Sequence, residues 1–244
     1  MSIKKYFAES DSGSYLEINE DSVIADVRNN LFGIVDAYGG TGIGDTLSEI
    51  VKSSLMKSFG ILSEDEDATL PLYYHPNYSI ETNALINSLK LAHLKVKEFN
   101  AQKESSSRGG ASFLGCVSGD KTIQLVGVGN CMALTQKGSS ISISYYPHSS
   151  SNIPVIGGAG AENFPHSGLG LFEDLEFFVQ EVKINNGNKV FLLSSGAYAP
   201  FNLTELSILI QEFNSDVEQL KQELAQIASG RGFKGNQSIV CLEF

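Results

Sequence analysis

The sequence predicts an α+β fold in which two antiparallel β-sheets pack face to face as a central sandwich, with helix pairs on the outside. Three observations lead there. The elements come in blocks, namely strands, two helices, many strands, two helices and a last strand, an order that excludes alternating βαβ units. The strand segments are short and joined by Asn- and Gly-rich turns, which suits antiparallel neighbours. Each helical segment carries one apolar stripe, so each covers one side of something else.

At 244 residues and 42% hydrophobic content the chain can bury a full core. No Pro-rich, Ser-rich or charge-run linker divides it, so residues 1–244 are expected to form one domain. The net charge of -11 argues against nucleic acid or an anionic membrane surface as the main partner, because both reward Lys and Arg; it suits cation binding. Cys116, Cys131 and Cys241 are odd in number, widely spaced and set in apolar runs. Buried free thiols in a reducing compartment are therefore expected, rather than disulfides or a zinc site. The N-terminus has Lys4 and Lys5 but then lacks the apolar run of a secretory signal, and no segment approaches the length of a membrane span. The expected location is the cytoplasm, where the sequons at Asn77, Asn202 and Asn236 carry no information.

Taken in order, Asp11-Ser-Gly-Ser14 is a turn that leads through Tyr15 to Ile18 into Asn19-Glu20-Asp21-Ser22. Val23–Val27 and Leu31–Val35 flank Arg28-Asn29-Asn30, and Asn tolerates left-handed backbone angles, so the two runs are predicted to form a hairpin. That hairpin brings Glu20 and Asp21 alongside Asp36. Three carboxylates in one place repel unless a cation sits among them. After Asp36 the chain breaks into glycines 39, 40, 42 and 44, where the backbone can approach a ligand closely. Taken alone, the same pattern also describes a strand, a turn and a helix with no chemistry.

Leu47, Ile50, Val51, Leu55 and Phe59 predict a helix over about 45–59, and residues 63–67 an acidic loop. Residues 71–76 read as irregular chain. A second long helix starts near Ser79, with Leu85, Leu89, Ala92, Val96 and Phe99 on its stripe, and ends at Ser105–Gly110. Four strands are predicted next, over 111–117, 122–128, 132–135 and 140–145, as an antiparallel meander. Residues 147–176 show little periodicity and read as a mobile surface segment; the Gly157-Gly-Ala-Gly160 cluster within it fails as a phosphate loop because no convincing helix follows. Phe177–Ile184 and Lys189–Leu193 are predicted to pair around Asn185–Asn188, the second running into Ser194-Ser195-Gly196. Two helices follow, with Leu206, Leu209, Ile210 and Phe213 on one stripe and Val217, Leu220, Leu224, Ile227 and Ala228 on the other. Residues 231–236 turn into a last strand over 237–242.

With these blocks in place the chain resembles the metal-dependent protein phosphatases of the PPM (type 2C) family over nearly its whole length. Asn19-Glu20-Asp21-Ser22 resembles the family's N-E-D-S, and Phe32-Gly-Ile-Val-Asp-Ala-Tyr-Gly-Gly40 its F-x-V-x-D-G-x-G-G. Gly109-Gly-Ala-Ser112 sits where the family has G-T-T, and Val126-Gly-Val-Gly-Asn130 resembles N-V-G-D-S. Leu192-Leu-Ser-Ser-Gly196 resembles L-x-S-D-G, and Gly235-Asn-Gln-Ser-Ile-Val240 resembles D-N-x-T-x-V. Each match is weak alone, but together they keep order and spacing.

The resemblance implies a metal site at one end of the sandwich and hydrolysis of phosphoserine and phosphothreonine by water bridged between two divalent ions. It assigns one ion to Glu20, Asp36 and the Ala37 carbonyl; the hairpin's grouping of carboxylates adds Asp21 as a further candidate. The ligands of the other ion fall on Ser195 and Gly235, neither of which offers a carboxylate to a hard dication. The phosphate-gripping arginine falls on Leu16, and the aspartate of G-D-S on Asn130. These losses imply a pseudophosphatase that works by binding a kinase, a phosphoprotein or a phosphatase with which it competes. The alternative is an active phosphatase in which Asp120, Glu162, Glu173 or Asp174 replaces a missing ligand. For the surviving acids two readings stand: one weakly held Mg²⁺, Mn²⁺ or Ca²⁺, or no ion, with Asp36 accepting hydrogen bonds from its glycine turn and Glu20 solvated.

Overall fold

Period-two alternation along the strands sorts their side chains into two apolar layers, and this places the sandwich. A computed structural model describes residues 2–39, 42–64, 69–119, 121–148 and 165–244. One five-stranded sheet has the order β2 (Asp21–Asp26), β3 (Leu31–Gly39), β4 (Gly109–Ser118), β5 (Thr122–Val128) and β8 (Phe178–Lys183). The other has the order β1 (Lys5–Asp11), β10 (Gln237–Glu243), β9 (Lys189–Leu193), β6 (Met132–Lys137) and β7 (Ser140–Tyr145). All pairings within them are antiparallel.

On β3, Leu31, Val35 and Ala37 face outward and pack with Leu47, Val51, Leu55 and Phe59 of α1 (Gly44–Glu64) and with Leu85, Leu89 and Val96 of α2 (Ile80–Ala101). The alternate residues Phe32 and Ile34 face inward, onto Leu114 and Cys116 of β4, Leu192 of β9, and Val240 and Leu242 of β10. The other sheet's outer face, with Phe191, Leu193, Ile239 and Cys241, packs beneath α3 (Ser195–Tyr198), α4 (Leu203–Glu212) and α5 (Val217–Gly230). The layers thus run helices, sheet, sheet, helices, as the sequence predicts. Cys116, Cys131 and Cys241 are free and buried, as expected of thiols in apolar runs.

The hairpin forms as predicted, and Asn30 takes the left-handed conformation (φ 51°) at its turn. Three features of the sequence reading need correction. The four strands of 109–145 are no meander, because β5 belongs to one sheet and β6 to the other; the chain changes sheets across Gly129 (φ 81°), Asn130 and Cys131. Likewise β8 and β9 do not pair, since β8 adds to β5 and β9 lies between β10 and β6. A turn signal shows that the chain reverses, but not which sheet it re-enters. Strand β1 went unread because it is half-exposed on both faces and shows no apolar run; it holds an edge, with Glu9 and Asp11 tied to Lys221 of α5. The Gly157–Gly160 cluster and most of the segment expected to be mobile lie outside the described residues. Of its described part, Leu169 bridges to Ala111 of β4.

Candidate functional site

Continuing the inward parity of each strand to one end of the sandwich turns the core polar. Asp21, two residues before Val23, and Asp36, two after Ile34, both fall on the inner face, as do Ser112, Ser194 and Ser238. Asp21 stands directly opposite Asp36 on the neighbouring strand, and Ser112 opposite Asp36 on the other side. Ala111 exchanges its N–H and C=O with Leu169, away from β3, so hydrogen bonding alternates to Asp36 and Ser112 as the bonded pair. Asp36 therefore turns its backbone from β2, and the Asp21–Asp36 pair is the narrow kind in which side chains stand closest. The Asp21 N–H accordingly goes to Asn19 Oδ1, at 3.1 Å. By the same alternation the Ala37 carbonyl points away from β4, toward the start of β2.

Each acid already has a partner within the protein. Asp36 Oδ2 accepts the backbone N–H of Ser195 at 2.7 Å, from the first turn of α3 in the opposite sheet's layer. Sequence reading looked for such a donor in the adjoining glycine turn; the fold supplies it from residues far along the chain. Asp21 Oδ2 accepts the hydroxyl of Ser238 at 2.8 Å. Glu20 is not simply solvated: its Oε1 accepts the Gly44 N–H at 3.3 Å, at the start of α1, where the helix dipole favours a carboxylate. Gly44 permits this close approach: a Cβ there would stand 2.5 Å from Glu20 Cδ and 2.6 Å from its Cβ, so the Glu20 side chain would have to shift.

Of the positions read as degenerate, Ser195 and Gly235 reach this end of the sandwich. A Cβ on Gly235 would begin 2.6 Å from the Phe233 ring, so an aromatic side chain fills the space into which a carboxylate there would project. Asn130 is buried and structural: its N–H donates to Ser112 Oγ at 2.9 Å, and its carbonyl accepts the Tyr198 hydroxyl at 2.8 Å. Leu16 lies exposed on the loop between β1 and β2. That loop is clipped by a residue to which the sequence reading gave no role. Asn236 donates from Nδ2 to the carbonyls of Ser12 and Ile18 and accepts the Glu20 N–H at Oδ1. Ser238 and Ser194 were missed as well, though each interrupts an apolar run at inward parity and could have been found that way. Of the substitute acids, Glu173 pairs with Lys97 of α2 at 3.1 Å, while Asp120 and Glu162 lie outside the described residues.

Burial raises the carboxyls of both Asp21 and Asp36, and for Asp21 the facing Asp36 raises it further, to well above the ordinary range; hydroxyls of Ser238 and Ser194 act in the opposite sense. For Asp36, bonds from Ser195 and a side-chain bond with Asp21 oppose the burial. Desolvation also raises Glu20, against the Gly44 N–H. A carboxyl raised in the folded state binds more protons than in the unfolded chain, whose value is about 3.9, so stability falls as pH climbs from there toward the raised value. Asp21→Asn keeps the shape and an acceptor for Ser238 while removing the facing charge. In chelator-treated buffer it is expected to raise stability by about 1 kcal/mol, or about 2 to 4 °C in Tm, more at pH 8 than at pH 5. Equal or lower Tm at pH 8 would show that the two carboxylates do not oppose each other.

Tested against a two-ion centre, these residues fall short. Among the described residues no three His, Cys, Asp or Glu side chains are grouped to hold a metal ion. At the second position a backbone N–H donor occupies Asp36 Oδ2, where a cation would have to sit, and Phe233 stands where a ligand would project.

No family model and no curated protein matches the sequence. Solved structures do match, over essentially the full length. PppA, a key regulatory component of T6SS in Pseudomonas aeruginosa, superposes with a TM-score of 0.79 at 19% identity, over 100% of this chain and 99% of that one. The PPM Ser-Thr phosphatase MsPP from Mycobacterium smegmatis, in complex with cacodylate, gives 0.78 at 16% identity and 100% of both chains. The catalytic domain of the serine/threonine protein phosphatase PstP, in complex with two manganese ions, gives 0.74 at 18% identity, over 98% and 97%. This chain therefore has the fold of the PPM phosphatases.

Proposed function

We propose that the chain is a pseudophosphatase: residues 1–244 form one PPM-type domain that has lost two-ion hydrolysis and acts in signalling by binding a protein, whether a kinase, a phosphoprotein or a phosphatase with which it competes. The observation that carries this is the 2.7 Å bond from the Ser195 N–H to Asp36 Oδ2, which puts a donor where the second cation would have to be. The Phe233 ring beside Gly235 and the leucine at position 16 support the same reading. A first ion, Mg²⁺, Mn²⁺ or Ca²⁺, would be held weakly by Glu20, Asp36 and the Ala37 carbonyl, displacing Glu20 from Gly44, with Asp21 beside it. Such an ion would supply charge for an anionic partner group. The three buried thiols, and the absence of any described helix long and apolar enough to cross a membrane, accord with a cytoplasmic place of action.

The test is calorimetric titration of Mn²⁺ into the wild type, Asp36→Asn, and the triple variant Ser195→Asp, Gly235→Asp, Phe233→Ala. The wild type should take up at most one ion, lost in Asp36→Asn. The triple variant should take up one more, because it both restores carboxylates and clears the ring. Two ions of similar affinity in the wild type would overturn the proposal.

A further inference from the structure

The basic residues of this acidic chain are unevenly placed. Five of its 17 Lys and Arg residues, Lys90, Lys95, Lys97, Lys103 and Arg108, fall between positions 90 and 108, along the second half of α2 and just after it. None of them lies in the last turn of α2, so the helix dipole does not account for the cluster. Arg108 lies beyond the helix end. Its Nε donates to the Lys103 carbonyl at 3.2 Å, and among the described residues no carboxylate pairs with its guanidinium.

Arg108 borders a pocket of about 280 Å³ that is also lined by Lys97, Asn100, Leu171, Phe172 and Glu173. That volume takes one small charged group with an apolar neighbour, and is below the usual range for a drug-sized ligand. The floor is firmly built. Asn100 donates to the carbonyls of Gly109 and Gly170 at 2.7 and 3.0 Å and accepts the Gly109 N–H. His93 Nδ1 accepts the Gly170 N–H at 3.1 Å, and Gly170 itself (φ 89°) presses so close to Val96 that no side chain fits there. Leu171 and Phe172, next along the chain from this anchor, are 44% and 39% exposed. Lys97 is paired with the Glu173 carboxylate, whose side chain is 92% exposed, and also donates to the Glu173 backbone carbonyl at 3.4 Å. An ion pair so exposed is weakly held, and an incoming anion can replace it.

We infer that this pocket docks a peptide segment of a partner protein, taking an anionic side chain between Lys97 and Arg108 and an apolar side chain against Leu171 and Phe172. Glu173 is the built-in occupant that the partner displaces. The occupant follows from charge complementarity: a lysine with one exposed carboxylate partner, an arginine with no carboxylate partner among the described residues and two exposed apolar groups favour an anion with an apolar neighbour. The overall charge of -11 repels acidic chains in general, so whatever attraction exists is local to this cluster. The inference deepens the partner-binding reading by naming what the partner presents. Phosphate and carboxylate share the required chemistry.

Fluorescein-labelled peptides Gly-Leu-Xaa-Leu-Gly, with phosphoserine, aspartate or serine at Xaa, distinguish the sources by fluorescence polarisation. The phosphoserine peptide, the aspartate peptide or both should bind at least about tenfold more tightly than the serine peptide; binding of the first alone identifies phosphate, and equal binding identifies any anion. Arg108→Ala should weaken binding about tenfold or more, as expected for a lost charge-assisted hydrogen bond. Glu173→Gln, which removes the carboxylate that competes for Lys97, should tighten it, a sign that a merely structural role would not produce. Circular dichroism of these surface variants checks that they fold. Equal affinity for all three peptides, or no change in Arg108→Ala, would overturn the inference. Phosphate released during the measurement would count against the pseudophosphatase reading, while the aspartate peptide continues to report on the pocket.

Discussion

With millimolar Mn²⁺ or Mg²⁺, the purified chain is expected to hydrolyse p-nitrophenyl phosphate or a phosphothreonine peptide at least roughly a thousandfold more slowly than an ordinary enzyme, whose turnover is about 10 s⁻¹. A second ion contributes both an activated water and charge stabilisation at the departing oxygen, several kcal/mol in all, and each 1.4 kcal/mol is about a tenfold change in rate. On the proposed reading the Ser195 N–H bond to Asp36 and the Phe233 ring beside Gly235 stand in the way of that ion and its ligand, and no guanidinium stands at position 16 to orient phosphate. Turnover of about 1 s⁻¹ or faster that Asp36→Asn abolishes would sink the pseudophosphatase reading, and would point to a ligand from outside the described residues.

The second large effect is on folding. Gly196→Ala would set a Cβ 1.7 Å from the Asn236 carbonyl oxygen and 2.8 Å from its carbon, and both are backbone atoms at the entry to β10. Backbone cannot swing aside as a flexible side chain can. Either α3 or β10 must move, which breaks the Ser195–Asp36 bond or the Asn236 clip on the β1–β2 loop. A cost above about 4 kcal/mol is expected, a Tm loss of roughly 8 to 16 °C, or failure to accumulate as folded protein. Gly230→Ala is the control: nothing lies within 4 Å of its Cβ position, and stability should hardly change. Similar Tm values for the two variants would mean that α3 and β10 are not in the contact described.

Much of this was open to inspection in the sequence, and the reason differs by part. Helices announce themselves through their own stripes, so α1, α2, α4 and α5 were found, as were β5, β7 and β9 with their full bounds. Partnership between strands is not local. The same turn chemistry at Gly129-Asn130 serves a hairpin or a change of sheet, and only packing against both layers decides which. At the site, the grouping of Glu20, Asp21 and Asp36 followed from one hairpin. What surrounds those acids did not follow, because Ser195, Gly44 and Ser238 come from three other elements and Phe233 from the loop before β10, and they act through backbone, hydroxyl or bulk. A missing carboxylate is visible in a sequence; the group that has taken its space is visible only in three dimensions.

The pairing of β1 with β10 has a consequence for how the chain is made. Strand β1 lies at a sheet edge, and its one neighbour in the ladder is β10, with Lys5 opposite Glu243 and Asp11 opposite Gln237. During synthesis β1 must therefore wait for β10 before its ladder can form, with side-chain contacts such as Tyr6 against Phe32 of β3 its earlier partners. The intervening chain crosses between the two sheets four times, at β1–β2, β5–β6, β7–β8 and β8–β9; the sheet that holds β2 has all its strands once Lys183 is made, while the sheet that holds β1 stays incomplete until β10. Contacts this distant along the chain make for slow folding and a long exposure to aggregation. A nascent chain stalled before residue 237 holds nearly all of the fold's residues but leaves β1 without its partner strand.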